Sequence, residues 1–221
     1  MRTRIKFCGL VRPADVDAAV ALGVDAIGLV FYARSPRALT AAEARALRAR
    51  LPSFVRAVGL FVDEPPERVG QVAREVGLDV LQLHGGESPE ACARAAAAAG
   101  GLPWWRAVRM RGRADLLESA AAYDRAECLL LDAHTDAFGG SGATFDWDWA
   151  LPEPSTGRPV RRILAGGLTP ATVASAVAHA APFAVDVSSG IQGATAREKD
   201  AARMHDFVAA VVAADANRVI P

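Results

Sequence analysis

The sequence predicts an α/β fold, a (β/α)8 barrel in which eight parallel strands close on themselves and helices cover the outside. Three observations predict it. Short β-branched or apolar runs alternate with longer helix-patterned segments, and that alternation builds a parallel sheet covered by helices. Helix-start and helix-stop residues recur in register with the alternation. Eight units in 221 residues allow about 28 residues each, the scale of a compact barrel.

The elements follow in order. Strand Arg4–Cys8 precedes a helix over Pro13–Leu22, and Ala26–Val30 precedes one over Thr40–Arg50. Val55–Val62 and Pro66–Val76 form the third pair, and Val80–Leu83 and Pro89–Ala99 the fourth. Trp104–Val108 pairs with Ala114–Tyr123. Cys128–Asp132 is followed by a Gly-rich loop and a short helix near Trp147–Leu151. Arg162–Ala165 leads to a helix over Pro170–Ala180, and Ala184–Val187 to a final helix from about Glu198 to Ala214. Pro13, Pro66, Pro89 and Pro170 sit near helix starts, where a missing N–H costs nothing. Thr40 and Thr169 suit N-caps, and Gly23, Gly77 and Gly100 suit helix ends. The Pro-rich stretch Pro152–Pro159 reads as a surface loop. No linker divides the chain, so residues 1–221 are expected to form one domain.

The competing architecture is an open doubly wound sheet. Its dinucleotide-binding form carries G-x-G-x-x-G after the first strand, whereas this strand ends in Cys8-Gly9-Leu10. No G-x-x-x-x-G-K-[ST] phosphate loop occurs either.

Composition narrows the partners. Lys+Arg and Asp+Glu both number 25, so nothing favours nucleic acid or an anionic membrane. A small phosphorylated ligand needs only a local positive site. The apolar runs are interrupted well short of the ~18 residues a membrane span needs. Cys8, Cys92 and Cys128 make no disulfide framework and lack metal-motif spacing, which fits a reducing cytoplasm. His84, His134, His179 and His205 are scattered, and His134 with Asp136 is too slight to argue a metal. The tryptophans at 104, 105, 147 and 149 read as packing residues. No long exposed apolar stripe is evident, so a monomer is the default and a homodimer the alternative.

Active sites of such barrels lie at the C-terminal ends of the strands. That rule selects Cys8, the Arg34–Arg37 segment, Asp63, His84, Arg109, Asp132, Gly166-Gly167 and Asp186 through Gly190. Leu164–Leu168 (LAGGL) and Asp186–Ile191 (DVSSGI) end the last two strands, where backbone N–H groups frequently bind phosphate. The plainer reading is two tight turns. Cys8 and Asp132 end strands one and six, and a ligand between them could meet a base on one side and an acid on the other. Alternatively Cys8 is a small buried hydrophobe and Asp132 a cap or ion-pair residue. Arg37 could hold a carboxylate through a bidentate pair or stand as a solvated loop charge. His84 lines the pocket or packs with one hydrogen bond.

These residues occur in a recognisable set. KFCG (Lys6–Gly9), SPR (Ser35–Arg37), VGLFVD (Val58–Asp63) and LQLHG (Leu81–Gly85) appear in that order. LLLDA (Leu129–Ala133), GGSGATFDW (Gly139–Trp147), LAGGLTP (Leu164–Pro170) and DVSSGI follow. Their order and spacing resemble the phosphoribosylanthranilate isomerases of tryptophan biosynthesis, over residues 4 to about 208. The resemblance implies a cofactor-free Amadori rearrangement of a phosphorylated aminoaldose. It implies Cys8 as general base, Asp132 as general acid and Arg37 as holder of the anthranilate carboxylate. It implies phosphate loops at Gly166, Gly167, Ser188, Ser189 and Gly190, with His84 and Asp186 near the ligand. The segment after DVSSGI departs from the family pattern. Gln192 and Thr195-Ala196-Arg197-Glu198 stand where an acidic residue and Pro-Gly are usual, and Lys199-Asp200 is retained. Two alternatives remain: a histidine-pathway or dual-substrate aminoaldose isomerase, and a non-catalytic sensor of phosphorylated ligands. The first would use two aspartates, against which Cys8 argues.

Overall fold

In the computed structural model, eight short strands hydrogen-bond in sequence order and the eighth returns to the first, closing a parallel barrel. The structure describes residues 2–133, 144–151 and 160–217. The strands are β1 (Arg4–Cys8), β2 (Ala26–Val30), β3 (Arg56–Phe61), β4 (Val80–Leu83), β5 (Trp104–Met110), β6 (Cys128–Ala133), β7 (Arg161–Leu164) and β8 (Ala184–Val187). Helices α1 (Pro13–Ala21), α2 (Ala41–Arg48), α3 (Pro66–Val76), α4 (Pro89–Ala98) and α5 (Arg113–Ala122) follow the first five strands. A 3-10 turn, Trp147–Ala150, stands after β6; α6 (Val173–Ala180) and α7 (Ala201–Ala216) complete the ring. The glycines of GGSGATFDW (139–143), His134, Asp136 and the Pro-rich stretch 152–159 lie outside the described residues.

Strand residues alternate between two cores, as period-two side chains must. Ala26, Val58, Val80, Trp105, Cys128, Leu130 and Ile163 fill the barrel interior. Ile5, Phe7, Leu29, Phe61 and Leu81 point outward to the helices. Phe7 meets Phe207 of α7 edge-on, with centroids 6.0 Å apart. Trp104 packs outward against Tyr123, while Trp105 turns inward and donates to Glu127 at 2.9 Å.

Local chemistry sets the helix ends. Thr40 and Glu43 form a capping box on α2, and Ser88 caps α4 ahead of Pro89. Two starts differ from expectation. α6 begins at Val173, not Pro170: the Thr172 hydroxyl accepts from the Thr169 N–H, so Pro170–Thr172 form a turn before the helix. α7 begins at Ala201, because Gln192 and Lys199 pair as an antiparallel bridge and Asp200 supplies the cap.

Candidate active site

The barrel interior carries an apolar cluster and is polar toward the C-terminal rim. Lys6 and Cys8 on β1, Gln82 and His84 on and just past β4, Asp132 on β6 and Asp186 on β8 share the inward parity of the interior core. Strand register sets their neighbours. Lys6 lies beside Asp186 across β1–β8, Cys8 beside Gly28 across β1–β2, and Arg109 beside Asp132 across β5–β6.

Cys8 is buried over a buried ion pair. The Lys6 ammonium, 2% exposed, meets Asp186 at 2.8 Å. It also lies close to the Cys8 sulfur, both atoms facing Gly28. Burial opposes its charge, yet Asp186 and Cys8 together hold its pKa above the ordinary lysine value. Burial likewise pushes the Cys8 thiol up; Lys6, Lys199 and Arg37 pull against that rise, and Asp186 adds to it. Gly28 makes the arrangement possible. A Cβ there would sit 2.8 Å from the Cys8 sulfur and 3.1 Å from the Lys6 nitrogen.

Asp132 is held from two directions. Its Oδ1 accepts from the Ala133 N–H at 2.9 Å, and its Oδ2 lies 3.3 Å from His84 Nε2. On the other ring edge, His84 Nδ1 lies 3.0 Å from the Gln82 amide nitrogen. An amide NH2 only donates, so in this orientation Nδ1 accepts and Nε2–H faces Asp132. The turn after His84 is fixed below it: Glu87 accepts from the Asp63 and Gly85 N–H groups at 2.9 Å and pairs with Arg106 at 2.6 Å. Asp63 is therefore part of this turn, its Oδ1 accepting from the Gly86 N–H.

Loops after β7 and β8 close the rim. Gly166 and Gly167 take φ +74° and +62°, left-handed values that favour glycine. A Cβ on Gly166 would lie 2.5 Å from the Ala133 nitrogen and 3.1 Å from Asp132 Oδ1, so this turn abuts Asp132. Gly190 presses against the Leu168 carbonyl, and Ser188 Oγ donates to the Cys8 carbonyl at 3.0 Å. Lys199 Nζ donates to the Ser188 carbonyl at 2.8 Å, and burial lowers this lysine to about 8. Arg37 lies across Gly9, where a Cβ would be 2.5 Å from Arg37 Cδ. The departing segment supports this loop: Arg197 donates to the Pro36 and Ala38 carbonyls at 3.0 and 3.4 Å.

The rim thus gathers Cys8, Arg37, Ser188 and Lys199 on one side, and Asp132, His84 and Gly166 on the other. Asp186 sits one layer deeper, with its carboxylate turned to Lys6. The strand-end rule misses Lys6 and Gln82; each stands two residues before a selected one and so shares its face. Among the described residues, no group of three or more His, Cys, Asp or Glu side chains is disposed to hold a metal ion. No helix there is long and apolar enough to cross a membrane.

Comparison with known proteins now adds to this geometry. The family model described as N-(5'phosphoribosyl)anthranilate (PRA) isomerase matches residues 5–210. A Leptothrix cholodnii N-(5'-phosphoribosyl)anthranilate isomerase is 49% identical over 218 residues, covering 99% of this chain and 94% of the relative. The solved Thermotoga maritima phosphoribosyl anthranilate isomerase superposes with a TM-score of 0.85 at 38% identity, over 96% of this chain and 99% of that one. Another solved isomerase of this name, in complex with reduced 1-(o-carboxyphenylamino)-1-deoxyribulose 5-phosphate, gives 0.79 at 33% identity, over 96% and 99%. Fold and relatives together define a (β/α)8-barrel isomerase. The chain belongs to the N-(5'-phosphoribosyl)anthranilate isomerase family.

Proposed function

We propose that this chain converts N-(5-phosphoribosyl)anthranilate to 1-(2-carboxyphenylamino)-1-deoxyribulose 5-phosphate, in tryptophan biosynthesis, with Asp132 as general acid and Cys8 as general base. The observation that carries the reading is the order around the rim. Asp132 is the penultimate residue of β6 and Cys8 ends β1, and the two Gly-rich loops after β7 and β8 span the arc between them. A sugar anchored there by its 5-phosphate has an acid on one side and a base on the other.

Asp132 gives its proton to the furanose ring oxygen, and the C1–O bond breaks as the anthranilate nitrogen supplies electrons. The result is an open-chain iminium ion. Cys8, as thiolate, removes the C2 proton, and those electrons form the enolamine. Tautomerisation to the ketone completes the isomerisation. One proton is given and one taken, so no redox cofactor is required. Gly166, Gly167, Ser188, Ser189 and Gly190 hold the phosphate, with Lys199 close behind Ser188. Arg37 holds the anthranilate carboxylate. His84 orients the acid through Oδ2 and lines the pocket. Asp186 acts from below, through Lys6.

Cys8→Ala and Asp132→Asn are each expected to remove most turnover with the fold intact. Loss of anthranilate-type fluorescence from freshly made substrate measures it. Near-parental kcat in either variant overturns that residue's role. The same assay separates this reading from a histidine-pathway substrate and from a sensor without turnover.

We take residues 1–221 as one domain working in the cytoplasm, where its three free cysteines stay reduced. Monomer remains the default. One observation favours the homodimer: Phe54 stands 95% exposed beside a cavity of ≈ 270 Å³ at the N-terminal mouth, walled by Trp105 and Phe183. Sedimentation equilibrium decides between them.

A further inference from the structure

We propose that Lys6, fixed by Asp186, is the positioning residue that sets the charge state of Cys8, serving as the buried cation against which the thiolate forms. The inference deepens the assignment of Cys8 as base and rests on it. Lys6 is not a catalytic residue, because it stands two residues before Cys8 on β1, one layer deeper in the barrel, and is 2% exposed.

Three geometric facts carry the inference. First, Lys6 and Cys8 stand two residues apart on β1, so both side chains enter the barrel on one face. Second, both reach the space beside Gly28, the sulfur within 2.8 Å and the ammonium within 3.1 Å of one point. They therefore fall inside the roughly 6 Å over which an opposite charge shifts a titration. Third, the ammonium is anchored by Asp186 at 2.8 Å, with both side chains buried. A lysine serving only the fold would not need the glycine that leaves room for the thiol.

The charged groups facing Cys8 come from four elements: Lys6 on β1, Asp186 on β8, Lys199 before α7 and Arg37 after β2. Burial raises the thiol, Lys6 is the largest opposing influence, and Asp186 partly cancels it. When the thiol ionises, its proton leaves to solvent at the rim and the sulfur becomes a second anion for Lys6. Asp186 therefore has two effects: it holds Lys6 charged, and it competes with the thiolate for that charge.

The test is alkylation of Cys8 by iodoacetamide, a neutral reagent, in the intact enzyme, with the modified peptide located by mass. Cys92 and Cys128 are buried and pushed up to about 12, so they stay silent near neutrality. Lys6→Met should raise the pH midpoint of alkylation by about one unit or more. At pH 7, where Lys199 is still charged, the reaction should slow roughly threefold or more. The greater basicity of the remaining thiolate offsets part of the loss of its population. Asp186→Asn should lower the midpoint, since the thiolate then becomes the counter-ion of Lys6. Lys6→Met leaves Asp186 buried without its partner, so the double variant Lys6→Met/Asp186→Asn is the fold control; its midpoint should lie above the parent's. An unchanged midpoint in Lys6→Met, a raised one in Asp186→Asn, or an unraised one in the double variant overturns the inference. Alkylation reads the thiol whether or not it is the base, and Cys8→Ala turnover tests the base separately.

Discussion

Replacing Gly190 by alanine probes the rim where its two loops approach most closely. The added Cβ would sit 2.0 Å from the Leu168 carbonyl oxygen and 3.0 Å from the Leu168 carbonyl carbon and Thr169 Cα. All three are backbone atoms, so no side-chain rotation relieves the overlap. Ordinary contact begins near 3.4 Å, so the two loops must part by about 1.4 Å. A displacement of roughly 1 Å in groups that position a substrate costs on the order of 100-fold in rate. Gly190→Ala should therefore lower kcat/KM by about 100-fold, with a large part of the loss in KM, since the proposed phosphate donors separate while Cys8 and Asp132 stay on their strands. Overpacking should cost only about 1–3 kcal/mol of stability, read by urea unfolding. Gly193→Ala is the control: its nearest neighbour is Glu198 Cβ at 3.2 Å, and kcat/KM should change little. Steady-state fluorescence with competing inorganic phosphate separates binding from chemistry. If Gly190→Ala retains kcat/KM and phosphate competition within about threefold of the parent, the two loops are not the cradle.

Other outcomes follow from single contacts. Lys199, at about 8, loses its charge as pH rises through that value, so substrate KM should rise above pH 8 and Lys199→Gln should flatten the profile. A flat parental profile removes Lys199 from the phosphate site. Arg197→Ala deletes two hydrogen bonds to the loop that carries Arg37, and should raise KM about two- to fivefold with kcat nearly unchanged. An effect confined to kcat would contradict that role. Arg106→Met leaves Glu87 buried without its cation and should cost about 3 kcal/mol in chemical denaturation. A cost below about 1 kcal/mol would mean the backbone donors to Glu87 suffice.

β1, β2, β4 and β8 are legible to the residue, because each is a short run rich in apolar residues set between helix-patterned or turn segments. The starts of α6 and α7 are not. Thr169 suits a cap, and only the folded turn decides that its N–H is met by the Thr172 hydroxyl instead. The bridge between Gln192 and Lys199 delays α7, a pairing without a local pattern. In the site, a rule that selects strand ends finds Cys8, Asp132 and His84. It passes over Lys6 and Gln82, which lie one layer deeper. It also selects Asp186, whose Oδ1 accepts from Lys6 at 2.8 Å. Extending the rule two residues back along each strand would recover the first two. Lys199 needs more, since its approach to Ser188 depends on how the β8–α7 segment folds over the rim.

The pairing of Lys6 with Asp186 resolves a conflict in the chemistry proposed for Cys8. Removing a proton from carbon favours a strong base, and a strong base is one that seldom stands ionised near neutrality. Burial alone would leave the thiolate too scarce. A bare buried lysine would make it abundant but weak, because basicity falls as the anion is stabilised. A lysine already shared with a carboxylate lies between these limits. It offers the sulfur a cation at short range, while Asp186 keeps that cation from being given over entirely. Gly28, Lys6 and Asp186 thus act through one atom, the Cys8 sulfur. A chain with no net charge can in this way concentrate positive charge where, in the proposed reaction, one anion forms and two more, a phosphate and a carboxylate, bind.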